Sequence, residues 1–390
     1  MRYEEIGELA PWCALNRIFG FAPKTGLELI REFGDATEVF RAGRKEIAGR
    51  LGIRSPYPEQ VTERAVDMAA EELEILRKRG DVFLCIGDDR YPRLLKECTD
   101  APVGLYIRSG DRPENIFSDR PAVAVVGTRD MTSYGQEWCT RIVNALGRTR
   151  HRPAIISGLA YGIDITAHTA ALESGLPTIA VMATGTDRVY PFSHGGTADR
   201  IRSTAESALI SDYPPGTAPH AVNFLRRNRI IAGLAQATIL VESCKKGGGM
   251  MTCRLASSYS RDIYALPGRI GDIHSAGCNA LIHEKMAEPI TDLDTLADAL
   301  GLVPESSGAI TDIKSYVYRL YRAKIDGRYA EKAAEVADII MNNRDIRADE
   351  LISLVNMEYK ELNELTSRME YDGIIRSDIL RQMCINPALL

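Results

Sequence analysis

Between residues 120 and 292, short apolar runs alternate with stretches long enough to form helices. This alternation limits the possible fold more than any other feature of the chain. The runs are AVAVVG (122–127), AIIS (154–157), TIAVMA (178–183), ALIS (208–211), TILVE (238–242) and IYALPG (263–268). Near-continuous apolar character of this kind marks strands buried on both faces. Segments such as SYGQEWCTRIVNALG and ITAHTAALESG lie between them. Strand, helix, strand repeated in this way predicts an α/β domain over residues 79–300, with a parallel, doubly wound sheet covered by helices on both sides.

The flanking segments have a different texture. Residues 1–78 read as a helical domain, with glycines at 20, 26, 34, 43, 49 and 52 as helix stops and a charged helical stretch over 59–79. VPESSG (303–308) is the clearest part of a linker placed at 301–329. Beyond 330, AEVADIIMNN, RADELISLVN and YKELNELTSRMEYDG predict three amphipathic helices, and GIIRSDIL supplies a strand and wing. That order predicts a winged-helix-like domain over 330–390.

At 390 residues, 45% hydrophobic and 26% charged, the chain suits two or three folded domains. Its formal net charge of −5 excludes a global basic field, so any nucleic-acid site must be a local patch. The eight cysteines include no C-x-x-C pair and read as reduced, buried thiols. The first residues lack the apolar core of a signal peptide, and no apolar run approaches the ~20 residues that span a bilayer. A cytoplasmic protein with no membrane partner is expected.

In a doubly wound sheet, ligands sit beyond the carboxyl ends of the strands. After the first run comes GTRDMTSYG, where Gly127 permits a close turn, Thr128 and Ser133 offer hydroxyls, and Arg129 offers a fork of donors for an oxyanion. After the second comes SGLAYGIDITAH, with Gly158 and Gly162 allowing close backbone approach and Asp164 placed to cap a helix. Neither loop is a G-x-G-x-x-G fingerprint, and KKGGGMMT lacks the Lys-Ser/Thr ending of a P-loop. On FLRRNRIIAG (224–233), Arg226 and Arg229 share one helical face, and Arg227 points elsewhere. Residues 220–270 hold eight Lys or Arg, among them Lys245 and Lys246, against two acids. Such a concentration calls for an anionic partner.

Taken in order, VVGTR, SYG, ISGLAYGIDITAH, TIAVMATGTDRVYP, FLRRNRIIAGL, TILVES, ALPG and GCNALI resemble the DNA-processing protein A family (DprA/Smf) over residues 80–292. The resemblance implies an extended Rossmann domain between an N-terminal SAM-like domain and a C-terminal winged helix. It implies a homodimer that binds single-stranded DNA, protects incoming strands during natural transformation and loads the recombinase RecA, with no cofactor, no metal and no catalysis. By position, it makes Gly127, Thr128 and Arg129 phosphate contacts and Arg227, Asn228 and Arg229 pocket residues, with Gly158, Gly162 and Asp164 shaping the neighbouring loop. This chain departs from the family in VESCKKGGGMMT, in HEKMAEP after GCNALI, and in FSHGGTADR after Tyr190-Pro191, where a basic residue is expected.

A nucleotide phosphoribohydrolase on a similar sheet is the alternative. Such enzymes need P-G-G-x-G-T-x-x-E, whereas KKGGGMMTCRL has the glycines and threonine without the glutamate, a pattern that binds phosphate without hydrolysis. Asp164 and His168 share a helical face, read as a cap with a nearby histidine, and His274, Cys278 and His283 lack a fourth ligand for zinc. Residues 331–378 carry twelve acids and six bases, so the winged-helix segment is expected to regulate or contact protein instead of reading DNA.

Overall fold

The computed structural model describes residues 3–52, 54–302, 312–343, 346–355, 357–378 and 382–386. The VPESSG linker segment lies outside the described residues. Internal contacts divide the chain into two compact units, Met1–Val303 and Pro304–Leu390.

Nine strands, among the described residues, form one sheet in the first unit. They are β1 (Val82–Cys85), β2 (Gly104–Arg108), β3 (Ala122–Val126), β4 (Ala154–Ser157), β5 (Thr178–Val181), β6 (Ala208–Ser211), β7 (Ala237–Leu240), β8 (Asp262–Ala265) and β9 (Glu288–Pro289). Their spatial order is β1-β2-β6-β5-β4-β3-β7-β8-β9. β3 to β9 run parallel, while β2 pairs antiparallel with β6 and with β1.

The pleat sends alternate residues to opposite faces. Val123, Val125, Ile155 and Ile239 pack with helices Ser133–Gly147 and Ile163–Glu173. Ala124, Val126, Ile156 and Leu240 join a core on the other face, with helices Ala221–Leu234 and Gly248–Ser258. Because both neighbours of every core position are also buried, the strand sequences carry no polar alternation. The expected doubly wound Rossmann-like sheet is therefore the observed one. From β3 the chain steps outward through β4, β5 and β6, then returns to place β7 on the other side of β3. That reversal leaves a crevice beyond the carboxyl ends of β3 and β7.

β1 and β2 extend the sheet beyond the strands anticipated from the sequence. The N-terminal helices Tyr3–Phe19, Pro23–Phe33, Ala36–Leu51 and Glu63–Arg79 share the first unit with this sheet. Asn16 is the fastener: its Nδ2 donates to the Asp212 carbonyl at 3.0 Å and its Oδ1 accepts from Gly104 N at 3.1 Å. Two of the expected glycine stops, Gly26 and Gly49, lie inside helices instead, and Gly26 faces the Phe19 ring where a larger residue would collide.

The second unit contains helices Ile313–Lys324 and Gly327–Asn342, β10 (Ile346–Arg347), helices Ala348–Leu354 and Tyr359–Tyr371, β11 (Ile375–Ser377) and β12 (Gln382–Ile385). The strands form an antiparallel sheet in the order β10-β12-β11. From Gly327 on, the order is helix, strand, helix, helix, strand, strand. Residues 313–324, assigned to the linker from sequence, are instead a helix capped by Asp312, whose carboxylate accepts from Ser315 N. Val317 and Tyr321 bury it in the same core as Ala333 and Ile340. Among the described residues, no helix is long and apolar enough to cross a membrane.

Candidate functional site

The crevice at the β3/β7 reversal measures about 400 Å³. It is lined by Gly127–Asp130 after β3, Ala160 and Asp164 after β4, and Gly247–Gly249 after β7. The helix Ala221–Leu234 closes it with Phe224, Arg227, Asn228 and Ile231. Gly127 is required because a Cβ there would lie 2.6 Å from Ile163 Cγ1 and 2.8 Å from the Glu242 carbonyl oxygen. Gly162 adopts φ 75°, ψ −124°, and a Cβ there would collide with the Thr128 carbonyl oxygen and lie 2.7 Å from that of Arg129, so only glycine fits. Thr128 N donates to Glu242 O at 2.7 Å, and Ile163 N donates to Thr128 O at 3.1 Å. The G-T-R turn is thus held from both sides.

Glu242 contributes its side chain to the same clamp. It is fully buried, and its carboxylate accepts from Thr132 N at 2.9 Å and Thr132 Oγ1 at 2.5 Å. Thr132 in turn caps the helix Ser133–Gly147. The sequence reading missed this pair, although a threonine immediately before a helical run is itself a capping signal.

The arginine cluster divides in two. Arg227 is buried on the crevice face, together with Phe224 and Ile231, and its Nη1 donates to Gly158 O at 2.6 Å and Val181 O at 2.5 Å. Burial pushes its pKa down to about 10, the Asp164 carboxylate opposes that shift and the Arg129 charge adds to it, so Arg227 remains cationic at neutral pH. Asp164 stands in the first turn of its helix, where Gly162 occupies the cap position, so the expected capping role is corrected. Burial raises the Asp164 pKa against the pull of Arg227 and of hydrogen bonds from Ala160, Ser157 and Gly158. A positive and a negative group therefore lie together under the crevice.

Arg226 and Arg229, expected on phosphate, line a separate groove of about 700 Å³ with Phe21, Leu225 and Met251. Arg229 is buried and donates to the Asp212 carboxylate and the Asp100 carbonyl. Arg226 donates to the Gly20 and Phe21 carbonyls, its guanidinium 4.3 Å over the Phe21 ring. A local charge count treats each cation as available, but guanidinium nitrogens withdrawn from water need protein acceptors, and the Nη atoms of Arg226 and Arg229 have them. Both assignments as phosphate contacts are corrected accordingly.

Arg129, which lines the crevice, and Lys245 and Lys246, on the loop that leads into its Gly247 edge, are exposed cations with no ion pair among the described residues. Arg129 lies 5.0 Å over the Phe224 ring. Thr128 is half-buried, and Ser133 is exposed at the start of its helix. Asn228 is about nine-tenths buried, lines the crevice and makes no side-chain hydrogen bond among the described residues. Helix Gly248–Ser258 begins at this crevice, where its first amides carry partial positive charge. Six cysteines are buried as expected, but Cys244 is exposed on the loop beside Lys245.

A mostly parallel sheet with a glycine-lined crevice at its point of reversal defines a doubly wound α/β protein. Residues 82–301 match the family described as DNA recombination-mediator protein A, and the chain belongs to that family. It is 39% identical to the DNA processing protein DprA of Streptococcus pneumoniae over 54% of this chain and 72% of that one. It is 33% identical to Protein Smf of Synechocystis over 76% of this chain and 74% of that one. Among solved structures, it is similar to DprA from Streptococcus pneumoniae, with TM-score 0.62 and 31% identity, covering 73% of this chain and 95% of that one. It is also similar to DprA from Helicobacter pylori, whose structure is described for its single-stranded DNA binding mode, with TM-score 0.50 and 26% identity, covering 56% and 95%.

Proposed function

We propose that this protein binds single-stranded DNA across the mouth of the crevice, and that its part in recombination is to protect the strand and load RecA onto it during natural transformation. It acts in the cytoplasm as a homodimer and turns over no nucleotide. The observation that carries the reading is a glycine-lined crevice with the exposed Arg129 on one of its loops and the exposed Lys245 and Lys246 on the loop leading to Gly247. The Helicobacter pylori relative, described for single-stranded DNA binding, supports it.

Strand affinity measured by fluorescence anisotropy at several salt concentrations tests the phosphate contacts. Each phosphate neutralised contributes a slope of about 0.7 log units per tenfold change in salt. Arg129→Ala is expected to weaken binding for every sequence and to flatten the slope by about one such increment. Arg129→Ala binding with the parent's affinity and slope would place the strand elsewhere.

Absence of turnover has its own test. The carboxylate beside the crevice, Asp164, is buried against Arg227, and Glu242 is occupied by Thr132. Neither is disposed to activate water at a sugar carbon. Incubation with AMP is expected to release no adenine above a blank. Release that scales with protein concentration would instead favour the phosphoribohydrolase reading.

A further inference from the structure

Phosphate contacts leave a group of exposed aromatic rings beside the crevice unexplained. Phe192, in the turn Phe192–His194, is 92% exposed, and Tyr161 and Tyr190 are 51% and 46% exposed. A single exposed ring is ordinary on a protein surface. Tyr190 and Tyr161 flank the turn that bears Phe192, and Tyr190 reaches Arg129 through Phe224. The Tyr190 ring lies 5.5 Å from the Phe224 ring, which carries the Arg129 guanidinium on its face. Beyond Tyr190 comes the turn bearing Phe192. His194 fastens that turn through Nδ1, 2.9 Å from the Leu159 carbonyl oxygen. Tyr161 stands edge-on to His194 at 4.9 Å, with its hydroxyl 3.4 Å from Ser193 Oγ. The sequence places Phe192 directly after Tyr190-Pro191, where the family resemblance calls for a base.

We propose that Phe192, Tyr190 and Tyr161 form a stacking surface for the bases of a single strand whose phosphates lie on Arg129, an inference that rests on the reading under Proposed function. The surface is continuous with the cationic crevice mouth, so one strand reaches both. Duplex DNA hides its base faces in its own stack, whereas a single strand presents them. Every base has a π face, so stacking tolerates any sequence while it rejects a strand without bases. Each stacked base strengthens binding by roughly fivefold to a hundredfold. Phe192, in place of a cation, exchanges a salt-sensitive contact for one that salt barely weakens.

The test compares oligothymidylate with an abasic strand of equal length, which keeps the phosphates and lacks the bases. The full-length parent, Phe192→Ala, Tyr161→Ala and Phe192→Trp are measured at one salt concentration, with sedimentation velocity of each free protein. The parent is expected to prefer oligothymidylate by about tenfold or more. Phe192→Ala and Tyr161→Ala are each expected to lose about fivefold on oligothymidylate and to match the parent on the abasic strand, while Phe192→Trp keeps the preference. Equal affinity of the parent for both strands, still salt-dependent, would end the stacking proposal and leave the phosphate reading standing. Equal losses on both strands would also end it. A fall in sedimenting mass of Phe192→Ala with strand affinity unchanged would assign the surface to a second copy of the chain. Failure of the parent to bind either strand would overturn both readings together.

Discussion

Arg229→Ala is expected to destabilise the first unit by about 3–5 kcal/mol, while the protein that remains folded binds single strands as the parent does. The Arg229 and Asp212 side chains are only 7% and 2% exposed, and the second guanidinium nitrogen holds the Asp100 carbonyl. Asp212 Oδ1 already has no hydrogen-bond partner, so removing the guanidinium leaves a nearly bare carboxylate in a low-dielectric interior. The exposed pair Arg141–Glu137 offers the contrast, since both side chains are more than half exposed and breaking it costs about 0–1 kcal/mol. Urea unfolding of Arg229→Ala and of the double variant Arg229→Met/Asp212→Leu separates the terms. The double variant is expected to recover most of the loss, because it removes the stranded charge. An Arg229→Ala protein as stable as the parent, with a flattened salt slope, would return this side chain to the phosphate site.

That contrast also marks what was legible in the sequence. β3 to β8 could be read because each is buried on both faces, so runs of three to five apolar residues announce them. The crevice residues Gly127, Thr128 and Arg129 followed from the rule that places ligands beyond strand ends. β1 and β2 were not legible in the same way. VFLC and GLYIR are equally apolar, but their place in the sheet depends on Tyr106 and Ile107 pairing with Ser211 and Ile210, about a hundred residues downstream. The arginines failed for a related reason. Their net charge was counted over 220–270, yet Asp100, Asp212, Gly20 and Phe21, which engage Arg229 and Arg226, all lie outside that window. Local charge shows where cations are dense; only tertiary packing shows which of them face water. Arg129, Lys245 and Lys246 sit exposed on loops after strand ends, whereas Arg226, Arg227 and Arg229 sit on a helix packed into the first unit.

Acidification is expected to weaken the first unit by about 3 kcal/mol between pH 7 and pH 4 through His168 alone. His168 is fully buried on the helix Ile163–Glu173, with Nδ1 2.7 Å from Thr178 Oγ1. The Thr178 hydroxyl donates to the Ile155 carbonyl at 2.8 Å, so the hydrogen between His168 and Thr178 must sit on Nδ1. Nε2 is then the bare nitrogen, buried and without a partner. A proton added there would bring a second charge close to Arg227 and His194, a cost that the Ser157 backbone offsets only in part. Burial first, then Arg227 and His194, push the His168 pKa down from 6.5 to about 3. Below pH 6.5 the unfolded chain takes up a proton that the folded chain refuses, so stability falls from there down to about pH 3. Asp164 works in the opposite direction, since burial raises its pKa and the folded chain protonates it first. Because His168→Asn leaves Asp164 in place, comparing the variant with the parent isolates the share that belongs to His168. His168→Asn keeps a donor for Thr178 and cannot be protonated. Its stability is expected to be lower than the parent's at pH 7 and to change less on acidification, so that the two profiles converge toward pH 4. Parallel profiles across that window, measured by urea unfolding, would show that the acid sensitivity of the fold comes from another group.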